Sequence, residues 1–307
     1  MTWRTLIRIA GTSVFLVVIV YFFDWSDLKD ALGRLSVGSI LLASLYSFMS
    51  ITFLSMRWAV LAAPSNSRIG WQEFRDAFFA QMVSLVTPAA IGADAYRIII
   101  AKKREGGHSR ATGLIIFERV VGVAVYSYIF LIAYGFSSNQ FDDKNIFNIS
   151  CLAFFLLGAA FIVYLIISWV FSNRLSSWFR SRHYLKVAAV IEAATIIPKY
   201  RLLLTVVFSF LATMSWLAAV QILGQSVNVG LSVPDITMVS IVTEFSRLLP
   251  ISIQGIGVRE ATFASLSQVA GGNSNAALVA CASAYAIHAV NMMVAGWGAK
   301  VLVFVKK

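Results

Sequence analysis

The chain has 307 residues, 59% of them hydrophobic and 13% charged, against roughly a quarter charged in a soluble domain, and a soluble fold of this length has no interior large enough to hide so much apolar surface. The formal net charge of +11 does not mark a nucleic-acid binder, because the basic residues sit in connectors between apolar runs, as in the cytoplasmic loops of a membrane protein. Cys151 and Cys281 lie inside apolar runs and His108, His183 and His288 are scattered, so no disulfide framework, metal site or cofactor is predicted.

Six runs have the length, about 20 residues, that crosses roughly 30 Å of hydrocarbon: 6–23, 37–63, 111–136, 147–171, 202–224 and 275–305. The first follows Arg4 and Arg8, as a secretory signal would. It ends in Tyr21-Phe22-Phe23-Asp24-Trp25 with no small-residue cleavage site, and it is expected to be a retained helix. With Arg4 and Arg8 in the cytoplasm, the connector 24–36 faces outward, and 37–63 returns beside Arg57, Arg68 and Arg75. Lys102, Lys103, Arg104 and Arg110 precede the run 111–136, which exits toward Asp142, Asp143 and Lys144. The run 147–171 returns to a connector holding Arg174, Arg180, Arg182, Lys186, Lys199 and Arg201. The run 202–224 exits to a connector charged only at Asp235, and 275–305 returns to Lys300, Lys306 and Lys307. Lys29, Arg34 and Lys144 are the basic residues left outside. Both termini are therefore predicted to be cytoplasmic, in the inner (plasma) membrane. The stretch around Trp178, Phe179, Tyr184 and Leu185 is expected on the inner membrane surface.

Two further apolar segments, 74–101 and 236–270, are interrupted in the middle. The first breaks at Thr87-Pro88-Ala89-Ala90-Ile91-Gly92, the second at Pro250-Ile251-Ser252-Ile253-Gln254-Gly255-Ile256-Gly257. Proline removes a helical hydrogen bond and glycine tolerates the bend. Arms of about 14 residues reach roughly 21 Å, too short to span. Each segment is therefore expected to enter the membrane, turn, and leave on the side it came from, a re-entrant hairpin whose freed backbone groups are covered by protein or water.

The order helix, broken hairpin, helix thus occurs twice, over 37–136 and 202–305. Pro88 and Pro250 are 162 positions apart (250 − 88), and Arg97 and Arg259 each follow their proline by nine. The first unit starts outside and the second inside, so the copies are inverted. The predicted fold is all-α: one polytopic domain, 1–307, with about six transmembrane helices and two re-entrant hairpins in an inverted repeat. Such repeats with paired broken helices characterise transporters, with the site between the copies near the midplane.

Charged residues inside these segments are Asp94, Arg97, Glu118, Arg119, Glu244, Arg247, Arg259 and Glu260. Each charge near the bilayer centre costs roughly 2.5–3.5 kcal/mol on insertion scales, so they face protein, water or each other. Asp94 and Arg97, like Glu244 and Arg247, are spaced i,i+3 and are expected to pair on one helix face. Glu118-Arg119 and Arg259-Glu260 are adjacent and point apart, toward partners on other helices. Two readings stand side by side: structural ion pairs, or a substrate site in which the four arginines clamp a phosphate, aided by helix N-termini after Pro88–Gly92 and Pro250–Gly257. Arg57-Trp58 is read as a boundary anchor, and Asn291 as a helix-to-helix hydrogen bonder.

Arg57-Trp58, then Thr87-Pro88-Ala89-Ala90-Ile91-Gly92-Ala93-Asp94-Ala95-Tyr96-Arg97, then Glu118-Arg119, then Leu249-Pro250-Ile251-Ser252-Ile253-Gln254-Gly255-Ile256-Gly257-Val258-Arg259-Glu260 together resemble the lysylphosphatidylglycerol-synthase transmembrane family. This is the flippase-like domain of the multiple peptide resistance factor proteins. The late Gly-x-Gly-x-Arg-Glu segment is the most specific part. The resemblance implies movement of a phospholipid, or of a lipid carrying an attached group, between leaflets. Multiple peptide resistance factor proteins carry a large soluble aminoacyl-transferase domain after their membrane part. Here the sequence ends at Lys307, and a stand-alone member is expected. Hopanoid-type lipids and lipid-linked sugars are then as open as substrates as lysylphosphatidylglycerol.

The expected function is a lipid flippase, not an enzyme, with the polar head in a groove between the repeats. Its partners are membrane lipids with anionic or zwitterionic heads, together with a lipid- or glycan-modifying enzyme, and no nucleic acid. No P-loop sequence occurs, so transport is expected to be passive, or driven by membrane potential or by protons on Glu118, Glu244 or Asp94. Two alternatives are a membrane-embedded transferase using Asp24, Asp27 and Asp30 around a metal, and a non-catalytic partner in a biosynthetic complex. A solvated acidic loop is the simpler reading of those three aspartates.

Overall fold

The computed structural model describes residues 25–63, 71–85, 87, 91–102, 107–137, 144–182, 184, 188, 197–246, 252 and 254–304. Among them are ten helices and no strand: α1 (Trp25–Gly33), α2 (Val37–Ala62), α3 (Trp71–Ser84), α4 (Ile91–Lys102), α5 (Gly107–Phe136), α6 (Lys144–Ser181), α7 (Lys199–Ser226), α8 (Val233–Ser246), α9 (Val258–Val269) and α10 (Ser274–Phe304). The predicted first crossing, 6–23, lies outside the described residues, as do Pro88, Pro250 and Arg247.

Among the described residues four helices are long and apolar enough to cross a membrane: Val37–Ala62, Ala111–Phe136, Lys199–Ser226 and Ser274–Ala299. The stretch Phe147–Val163 of α6 is apolar over a shorter length. Leu41, Leu45, Leu152 and Phe155 stand more than half exposed on α2 and α6. A surface this apolar is covered by lipid, since lone soluble chains do not carry it. Between helices, lipid supplies no hydrophobic drive, and close packing of small residues does the work. The central helices α2 and α7 accordingly bury Ala43, Ser47, Ser50, Ala59, Thr205, Ser209 and Ala212.

In the first interrupted segment α3 ends at Ser84 and α4 begins at Ile91, and in the second α8 ends at Ser246 and α9 begins at Val258, so helix lies on both sides of each expected break. Arms α3 and α8 have 14 residues, and α4 and α9 have 12. At 1.5 Å per residue these reach roughly 18–21 Å, and within each segment the arms pack on each other. The first break is tight at Gly92: a Cβ there would lie 2.5 Å from Thr87 Cγ2, and the Gly92 N–H donates to Thr87 Oγ1 at 3.1 Å. The second turns through positive φ at Gln254 (54°), Gly255 (76°) and Gly257 (84°), the left-handed region that glycine enters without strain.

The basic connector after 171 is not a loop at its start or its end. Helix α6 runs on to Ser181, so Arg174 and Arg180 ride on a helix of 38 residues, roughly 57 Å long. Arg201, expected among cytoplasmic loop charges, is buried in the first turn of α7. Its Nη1 donates to the Ala63 carbonyl at 2.7 Å, and so satisfies an acceptor left open at the end of α2. Asp235 is also buried. It opens α8, where Ser232 and Asp235 share hydrogen bonds, and it accepts from Ser137 Oγ at the end of α5 at 2.7 Å.

The main packed pairs follow one rule. Helix α2 lies along α7. Helix α3 packs on α10 as α8 packs on α5; α4 packs on α5 as α9 on α10; α2 meets α3 and α5 as α7 meets α8 and α10. The same exchange relates α2–α10 to α7–α5 and α6–α5 to α1–α10. Advancing every label by five, with α6 returning to α1, leaves the set of pairs unchanged.

Candidate functional site

Between these two sets of helices is a cavity of about 330 Å³. Its wall comes from α2, α3, α4 and α5 on one side of the exchange and from α7, α8, α10 and Gln254 on the other. The predicted residues Asp94, Arg97, Glu118, Arg119 and Glu244 line it.

Glu118, the twelfth residue of α5, organises the first wall. Arg57 donates to its Oε1 through Nε at 3.0 Å and Nη2 at 2.8 Å, and Arg97 Nη1 donates to its Oε2 at 2.9 Å. Arg57 Nη1 also reaches Ser209 Oγ on α7 at 3.2 Å. One carboxylate thus joins α2, α4 and α5. The guanidinium of Arg97 lies over the buried Trp58 ring, 4.7 Å from its centroid. Beside this buried group, Arg119 donates to Asp94 through Nε at 3.2 Å and through Nη2. This second pair is the open one, with side chains 45% and 20% exposed.

The observed pairing corrects the expected one. Asp94 and Arg97 do not pair along their helix; each takes a partner from α5, which packs alongside and presents two oppositely charged neighbours. Glu118 and Arg119 do reach other helices, as their adjacency predicts. Arg57-Trp58 is not a boundary anchor. Arg57 is 14% exposed and ion-paired, and Trp58 is buried beneath Arg97.

The second wall is built differently. Tyr285 lines it from α10. Its hydroxyl donates to Glu244, and its ring carries the Arg259 guanidinium, 3.7 Å from the centroid. Arg97 thus meets an acid on α5, and Arg259 a phenol on α10. Arg259 and Glu260, expected to find partners on other helices, bond each other at 2.7 Å. Glu260 Oε2 also accepts from the Gly257 N–H at 2.6 Å, closing a cap at the start of α9, and Arg259 Nη1 donates to the Gln254 carbonyl at 3.2 Å. Arg259 thus lies on the Tyr285 ring and, unlike Arg97 and Arg119, is not among the residues lining the cavity; Arg247, the fourth arginine of the expected clamp, lies outside the described residues. The expected Glu244–Arg247 pair involves a residue outside them.

The two breaks meet. The Gln254 side-chain amide donates to the Ser84 carbonyl at the end of α3, and both residues line the cavity. His288 accepts or donates at Ser47 Oγ (2.8 Å) and lies 4.8 Å from the Trp216 ring, with both rings on the cavity wall. Asn291 bridges α10 to α2 through Ser44, donating to its carbonyl at 2.8 Å, which matches its expected role. Sequence reasoning missed Arg57, Trp216, Gln254, Tyr285 and His288 as cavity residues. Hydropathy places each on a helix or in a break, but it does not show which side of the helix meets the other half.

Residues 5–296 match the family described as the lysylphosphatidylglycerol synthase TM region. A search of curated proteins and of solved structures returns no match.

Proposed function

The chain belongs to the lysylphosphatidylglycerol synthase transmembrane family, and from that premise we propose that it moves a phospholipid, or a lipid-linked head group, between the leaflets of the inner membrane. The observation that carries this reading is the cavity between two sets of helices related by exchange, lined by charge from both. The exchange supports an inverted repeat, since the charge map starts one set outside and the other inside. Two inverted halves give an inward-open and an outward-open arrangement of similar energy, and rocking between them carries the site across.

On this reading the hairpins are re-entrant, because their arms are too short to span. The head group occupies the cavity, entering past the exposed Asp94–Arg119 pair, while the acyl chains stay in lipid. The buried Arg57–Glu118–Arg97 group sets the polar depth of the path. The protein then acts as a transporter rather than an enzyme, driven by the lipid gradient, the membrane potential or protons.

Reconstitution of the purified chain into liposomes with a fluorescent phospholipid in both leaflets tests this. Quenching from outside should reach nearly all the label within minutes in proteoliposomes, and only the outer half in protein-free vesicles. Equal quenching in the two across a panel of candidate lipids would count against transport.

A further inference from the structure

The first wall of the cavity carries one more positive charge than negative: Arg57, Arg97 and Arg119 stand against Asp94 and Glu118. Building on the transport reading, we infer that this wall binds a monoanionic phosphodiester, the head-group linkage of a glycerophospholipid, and that Asp94 and Glu118 are its internal competitors.

Arg97 is the centre of the site. It is 7% exposed, its Nη1 is committed to Glu118, and its buried Nε–H has no hydrogen-bond partner among the described residues. A buried charged donor left unpaired is costly, and more so than a neutral one. A phosphoryl oxygen is a strong acceptor for it, and the planar fork suits an oxyanion better than a point charge does. The Trp58 ring under the guanidinium fixes the plane in which that fork is offered.

Among the described residues the second half does not duplicate this site. Arg259 Nε is bonded to Glu260, Nη1 to the Gln254 carbonyl, and its face lies on Tyr285. The acid nearby, Glu244, accepts the Tyr285 hydroxyl. The anion site is therefore one-sided in a fold whose packing is two-sided. With Glu244 on the facing wall the charged lining of the whole cavity balances, so the anion is held locally, by Arg97 and its arginine neighbours on the first wall, and not by an excess over the cavity.

The exposed pair Asp94–Arg119 gives a test that a structural ion pair fails. Breaking the pair from either end removes the same bond but shifts the charge of the wall in opposite directions. Detergent-purified full-length protein is titrated with dioleoylphosphatidylmethanol, whose head is a bare methyl phosphodiester, and with dioleoylglycerol, which has the same chains and no charge. Retention is read by native mass spectrometry. Wild type should hold the phosphodiester lipid about ten-fold more tightly than the neutral one, the size of one charge-assisted hydrogen bond. Asp94→Asn should strengthen that retention and Arg119→Gln weaken it, with dioleoylglycerol unmoved by either. If both substitutions shift retention the same way, if neither does, or if the neutral lipid shifts in parallel, the phosphodiester site is wrong. Leaflet exchange measured on the same variants separates the two readings. Exchange that persists without charge dependence leaves transport standing and removes this site. Charge-dependent retention without any exchange keeps the site and removes transport.

Discussion

At the scale of single residues, the cavity separates buried charges from open ones, and their stabilities should differ accordingly. Arg57→Ala leaves Glu118, 3% exposed, with one of its two arginine partners. Breaking a buried pair in this way is expected to cost about 3–5 kcal/mol, visible as a lower thermal unfolding midpoint in detergent. Arg119→Ala opens a pair whose arginine is 45% exposed, and should cost less than about 1 kcal/mol. Equal losses would contradict the division into a buried and an open pair. Arg259 and Glu260 are not among the cavity-lining residues, so neutralising both, as in Arg259→Gln with Glu260→Gln, should leave leaflet exchange near that of wild type, whereas Arg259→Gln alone leaves the buried Glu260 without its ion-pair partner and lowers expression. An inactive but well-folded double variant would put Arg259 back among the substrate-binding residues. The charged positions themselves were legible in the sequence, because charge inside an apolar run is rare and expensive. Their partners were not. An i,i+3 spacing shows that Asp94 and Arg97 share a face, but it does not show that α5 brings Glu118 and Arg119 to that face with the opposite order of charge. Arg57 was misread for a related reason: an arginine beside a tryptophan near the end of a helix has the composition of an anchor whether it meets head groups or a neighbouring helix.

At the scale of elements, both breaks and the lengths of their arms follow from the positions of proline and glycine, and the described arms agree within a few residues. What the breaks touch depends on how the hairpins face each other, which local sequence does not encode. Gln254 shows this: it reads as a polar residue in a turn, yet its amide joins the two breaks through the Ser84 carbonyl. Gly257, at φ 84° and bonded through its N–H to Glu260, holds the turn that starts α9. Gly257→Leu forces a side chain into the left-handed region at a buried position. The variant should insert normally, as judged by a folded monomer peak in size-exclusion chromatography, and lose leaflet exchange. Wild-type exchange in it would reduce the turn to a connection.

At the scale of the whole molecule, the all-helical, membrane-spanning character was legible in the chain, and the packing exchange α1 to α6 through α5 to α10 is consistent with the unit read twice from it. The proposed inversion of the two sets makes a separate prediction. A cysteine at Asn139, in the acidic connector 137–143 of the sequence, should label from outside an intact cell, and one at Ser181, at the exposed end of α6, only after permeabilisation. The reverse pattern would contradict both the orientation and the inverted repeat.

The central claim is that lipid crosses because the two halves move against each other around the cavity, and the Ser84–Gln254 contact is where the two breaks touch. The most direct measurement is leaflet exchange by Ser84→Cys with Gln254→Cys, in a background with Cys151 and Cys281 replaced by alanine, before and after bridging with a short, reducible bis-thiol reagent. Exchange should stop on bridging, return on reduction, and be unaffected by the reagent in either single-cysteine variant. Undiminished exchange in a fully bridged protein would contradict movement of one half against the other as the route of the lipid.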